Sequence, residues 1–195
     1  MAQSFLPMFL KQHFAMPIHQ NGFFTMLPFC TQLISKNLLS PFADRLKQKG
    51  VNPTTVGRSF QAISAIGSSI SLLVLALLPS DIDRLFLVPF LLIFGITLSC
   101  ALPGHFTSIL TMAPDYTGTL SSICSIFGAL GNLSGPWLLS IANYTDIGQK
   151  WLLLFSITSI AQLSAGALFI FHGSAEIQPW AKKSEYRTAL ERDAK

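Results

Sequence analysis

The residues best placed to do chemistry in this sequence are polar side chains inside long apolar runs. Gln32, Lys36 and Ser40 recur every four residues in the run Gly22–Phe42, so a helix would carry all three on one face. Lipid solvates neither an amide nor an ammonium, so that face must look into protein or a watery cavity. Lys36 would then meet an anion in a vestibule near one end of a path. Alternatively, it reaches out on its long stem and pairs structurally.

A second pattern is Gly118, Ser121, Ser125, Gly128, Asn132 and Gly135, spaced 3, 4, 3, 4 and 3. This is a small and polar seam on one helix face, to which Gly131 and Gly135 add a GxxxG pair. Small residues let helices approach closely in lipid, where burial of apolar surface no longer drives association. Packing against another helix and lining a polar path are both open to it, with Ser125 and Asn132 the path candidates. His105, after Pro103 and Gly104, could relay protons or be held structurally by a hydrogen bond. Gln162 and Ser164 have the same two readings.

Catalysis has no support in the sequence. The nine carboxylates all lie outside the apolar runs, and they form neither a paired site nor a triad. Cys30, Cys100 and Cys124 sit in three separate runs without neighbouring histidines, which reads as packing rather than disulfide or zinc chemistry. No cofactor or metal is called for, and the protein is not expected to be an enzyme. Walker-type phosphate loops are absent. So are zinc-finger spacing and a basic surface interleaved with aromatics, which speaks against nucleic acid as a partner.

The elements that must position these residues follow from composition. Of the 195 residues, 50% are hydrophobic and 11% charged, against about 25% charged in a typical soluble domain. Five runs approach the roughly 20 apolar residues that cross a bilayer: Gly22–Phe42, Val56–Leu78, Leu85–Ile109, Gly118–Ile141 and Trp151–Phe171. They are too long and too little alternating for barrel strands, so helices are expected. The first is the weakest because it contains Lys36. Residues 1–21 read as the far end of a truncated helix and an external loop, 22–171 as a five-helix half-bundle, and 172–195 as a tail.

Orientation follows from the basic residues. Arg45, Lys47, Lys49, Arg58, Lys182, Lys183, Arg187, Arg192 and Lys195 fall on one side, and Lys11, Arg84 and Lys150 on the other. This predicts a cytoplasmic loop from Asp44 to Arg58 and a cytoplasmic carboxyl terminus. The sequon at Asn143-Tyr144-Thr145 falls in a short external loop close to the membrane.

Several stretches carry a resemblance to a known family, in one order: SFLPMFL, NGFFTMLPF, PFADRLKQKG, MAPDYTGTL with FGALGNLSGP, and IQPWA. Together they resemble the second half of a major facilitator transporter. They are most similar to the anion:cation symporter family of sodium/phosphate cotransporters, sialin and vesicular glutamate transporters. The resemblance covers roughly residues 4 to 182. It implies an all-α membrane protein: a truncated six-helix C-terminal half of a twelve-helix bundle, with five full transmembrane helices and a remnant of a sixth.

By position, Asp44 and Arg45 correspond to the family's conformational-gating loop. Ser125 holds a helix-eleven position where many members have Asn. Members often have Asn-His-x-Asp before the Ala-Pro, and here those positions read Ser108, Ile109 and Thr111. The implied function is ion-coupled transport of a small anionic solute, with sodium or a proton as the coupling ion. Its setting would be the plasma membrane or a vesicular or lysosomal one, and the partner an N-terminal half or a full-length transporter. The alternative is a non-transporting short isoform or incomplete fragment that associates with full-length transporters and regulates them.

Overall fold

A computed structural model describes residues 2–143 and 147–178. Its helices, in chain order, are α1 (Ala2–His13), α2 (Ile18–Gln48), α3 (Pro53–Leu77), α4 (Leu87–Ser99), α5 (Thr107–Met112), α6 (Thr117–Ala142) and α7 (Ile147–His172). Short 3-10 turns precede α4 and α6, and a π-helical turn, Leu102–Phe106, joins α4 to α5. Among the described residues there is no strand, so the fold is all-α.

Local chemistry explains several helix ends. After α2, Val51 N–H donates to Leu46 O at 3.3 Å and Gly50 N–H to Lys47 O at 3.0 Å. This is the six-to-one and five-to-two pairing of a Schellman end. It needs a left-handed residue, which Gly50 supplies at φ 88°. α3 then starts at once, with Asn52 Oδ1 accepting from Thr54 N–H at 2.8 Å and Pro53 at the first helical position. The loop expected from Asp44 is therefore only the short turn after Gln48. Asp44 and Arg45 lie inside the last turns of α2, a correction the sequence allowed, because basic side chains stabilise a helix at its C-terminus.

α3 ends at Leu77, where Pro79 drives Leu78 into extended backbone (ψ 134°). The π turn follows from Pro103 and Gly104. Proline removes a backbone donor, and Gly104 adopts a non-helical ψ of −106°.

Four helical stretches are long and apolar enough to cross a membrane: Pro53–Leu77, Arg84–Met112, Pro114–Ala142 and Lys150–His172. α2, at 31 residues, is also long enough, but Lys36 and its charged final turns keep its hydropathy below theirs.

Two pairings hold the bundle together, α3 with α7 and α2 with α4, and α3 also packs on α4. Between α3 and α7 the contact is polar and reciprocal. Ser69 Oγ donates to Ser159 O at 3.3 Å, and Ser159 Oγ donates to Ser69 O at 3.4 Å. One turn on, Gln162 Nε2 donates to Ser68 Oγ at 2.6 Å, and Ser68 in turn donates to Ser64 O. In lipid such bonds and close packing take over the role that apolar burial has in water.

α2 and α4 meet at Gly95, where a Cβ would come within 2.7 Å of Pro28 O. At the opposite end from the α2–α3 turn, Phe9 of α1 packs edge-on to Trp151 at 5.4 Å and to Phe155 at 4.9 Å. This anchors α1 to the start of α7.

Candidate functional site

α2 carries the longest polar stripe in the bundle. Asn21, Thr25, Gln32, Lys36 and Ser40 follow one another along it at spacings of 4, 7, 4 and 4. At the upper end Asn21 is buried and donates from Nδ2 to Pro7 O at 2.8 Å, while Thr25 Oγ1 donates to Asn21 Oδ1 at 3.2 Å. A groove of about 430 Å³ opens beside them, between α1 and α2, lined by Pro7, Ile18, Asn21, Gly22, Thr25, Met26 and Phe29.

Farther along, Gln32 is half-buried, and its Nε2 is buried with no hydrogen-bond partner among the described residues. A buried amide donor left unpaired costs about 1–3 kcal/mol, so this is a place where a polar visitor would be favoured. Lys36 lies one turn on, partly exposed, and makes no ion pair among the described residues. Asp44, at the exposed end of the helix, contacts Lys47 at 3.4 Å. Arg45 beside it is exposed.

The second pair of candidates sits elsewhere. Ser125 and Asn132 lie on exposed parts of α6, and Ser125 Oγ donates back to Ser121 O at 2.8 Å. α6 packs on α5 and α7, whereas α2 packs on α4 and α1. The structure therefore does not bring the α2 and α6 candidates into one packed interface. Among the described residues the seam is uncovered over much of its length: a Cβ at Gly118, Gly128 or Gly131 would meet none of them within 4 Å, although Gly135 is buried.

Sequence reasoning missed two features. Asn21 and Thr25 extend the α2 stripe, and the seven-residue step from Gln32 back to Thr25, two helical turns, could have found them at the start of the apolar run. Lys150 was expected in an external loop. It is instead 6% exposed in the first turn of α7, and it donates to Asn143 Oδ1 at 2.5 Å and Gln12 Oε1 at 3.5 Å. One ammonium thus ties α1, α6 and α7 together. His105 pairs with Gln61, Nδ1 to Oε1 at 3.0 Å, and its ring stands edge-on to Phe169. Tyr144 and Thr145 of the sequon, Pro179–Ala181 of IQPWA and the basic residues of the tail lie outside the described residues.

Helices that cross a membrane, joined by short turns and carrying intramembrane polar stripes, define a polytopic α-helical integral membrane protein. Its relatives say which kind. The chain is 28% identical over 98% of its length to an uncharacterized transporter of Caenorhabditis elegans, of which it covers 36%. It is 26% identical over 93% of its length to human sodium-dependent phosphate transport protein 1, covering 39% of that protein. With human sialin the figures are 25%, 90% and 35%. No family model matches the sequence. The chain is thus similar over nine-tenths or more of its length to transporters, consistent with the resemblance of its motifs to the anion:cation symporters of the major facilitator superfamily, and it spans little more than a third of the length of these relatives.

Proposed function

We propose that this chain forms the C-terminal half of an ion-coupled transporter of small organic or inorganic anions, driven by sodium or protons. Supporting that reading is its likeness, over at least nine-tenths of its length, to several transporters, among them one named for phosphate and a human probable small intestine urate exporter. On this reading residues 22–171 are the half-bundle and 1–21 the end of an incomplete helix. The segment from 172 onward is a cytoplasmic tail.

Gln32 and Lys36 on α2, with Ser125 and Asn132 on α6, would face the path once a second bundle covers them. Lys36 is the charge that attracts the anion. Asp44 and Arg45 would bias the equilibrium between inward- and outward-open states. Such a contact matters only if it differs between those states. The setting is the plasma membrane or a vesicular or lysosomal one, with the carboxyl terminus in the cytoplasm.

The test is a chimera in which this chain replaces the stretch it matches in human sodium-dependent phosphate transport protein 1. The chimera should take up labelled phosphate or urate along an ion gradient, and the 195-residue chain alone should not. Lys36→Gln should lower uptake and Asp44→Asn should slow the alternating-access step, each on the order of 1–3 kcal/mol with insertion unchanged. Saturable uptake by the chain alone, or an inserted but inert chimera, would count against a half-transporter. A second reading, a non-transporting protein that docks on full-length transporters, is favoured by the uncovered face of α6. Co-purification with a transporter and no uptake in the chimera would select it.

A further inference from the structure

Beyond its last helix the chain folds back over the end of the bundle where α3 begins and α5 ends. Arg58 of α3 donates from Nε to Gly173 O at 3.0 Å and from a terminal nitrogen to Phe171 O at 3.5 Å. These are carbonyls at the finish of α7, which lack partners of their own. Ala175 N–H donates to Thr54 Oγ1 at 3.1 Å. Gln178 N–H then donates to Met112 O at 3.0 Å, at the last residue of α5. Residues 173–178 thus join the ends of three helices far apart in sequence.

The element at the end of this strap is short, and besides the strap it packs on the π turn, α6 and α3. α5 has only 6 residues. It is divided from α4 by the π turn, where Gly104 departs from helical backbone. It meets α3 beside Gly57, where a Cβ would lie 2.9 Å from Ser108 Oγ. A short helical segment with a backbone break at one end and one strap bond at the other can move as a lever.

We propose that residues Gly173–Gln178 are a latch: pinned to α3 by Arg58 and Thr54, they hold α5 against the bundle and release it when the pins break. The latch needs neither substrate nor a second bundle, so it stands or falls apart from the transport reading.

Hydrogen exchange read by mass spectrometry on the full chain in lipid nanodiscs tests it. In the wild-type chain the 107–112 and 173–178 amides should be protected together. Arg58→Gln and Thr54→Val should speed exchange in both segments by about five- to tenfold, the size expected from one or two lost net hydrogen bonds. Exchange in the middle of α3 and α7 should stay as it was, which separates release from misfolding. Arg58→Lys, which keeps one donor, covers the case in which Arg58→Gln fails to insert. Faster exchange in 173–178 with 107–112 unchanged would overturn the proposal, as would a wild-type strap that exchanges at the rate of free peptide.

Discussion

Gln162 and Ser164, two residues apart on α7, make opposite use of a polar side chain in an apolar helix. Gln162 reaches across to Ser68, whereas Ser164 Oγ donates to Ala161 O of its own helix at 2.9 Å and is exposed. Gln162→Leu should therefore destabilise the chain by about 0.6–1.7 kcal/mol, the range for interhelical hydrogen bonds in membranes. Ser164→Ala should leave thermal unfolding in detergent unchanged. Equal effects would mean that the Gln162–Ser68 bond does not hold α3 to α7. Lys150→Met should cost more, about 1.5–3 kcal/mol, because it removes the hydrogen bonds that a buried ammonium donates to Gln12 and Asn143. The readout is the same unfolding midpoint.

At this scale the sequence was legible where spacing carried the signal and silent where partners came from other helices. Gln32, Lys36 and Ser40 share a face because any helix puts them there. That Lys150 is buried depends on α1 and α6 bringing their ends to it, which no local pattern encodes. The serines of α3 were passed over for a similar reason. Ser64, Ser68 and Ser71 can bond their own helix, so their type alone does not say which of them faces α7.

At the scale of elements, the glycines divide into two kinds. Gly95 is where α4 touches the backbone of α2, while a Cβ at Gly128 or Gly131 of α6 would meet nothing within 4 Å among the described residues. Gly95→Leu should separate α2 from α4 and expose the chain to proteolysis in detergent. Gly128→Leu should leave the isolated chain intact and impair only association with another bundle. Cleavage of the Gly128→Leu chain as fast as the Gly95→Leu chain would show that the α6 seam is already packed. The five helical runs were readable from hydropathy, but their ends were not. α2 extends six residues past Phe42 to Gln48, because Arg45 and Lys47 suit a helix C-terminus as well as they suit a loop. The π turn at Leu102–Phe106 could be suspected from Pro103-Gly104, though not its hydrogen-bond pattern.

For the whole molecule, the account rests on these helices crossing a bilayer in alternation, with the α2–α3 turn and the strap after α7 on one side. Thiol labelling in sealed, right-side-out vesicles tests this most directly, with single cysteines introduced into a cysteine-free background. Ser80→Cys, on the exposed connection after α3, should react with an impermeant maleimide in intact vesicles. Lys47→Cys and Ser174→Cys should react only after the membrane is opened. If Ser80→Cys and Lys47→Cys label from the same side, α3 does not cross, and the transporter half-bundle is contradicted.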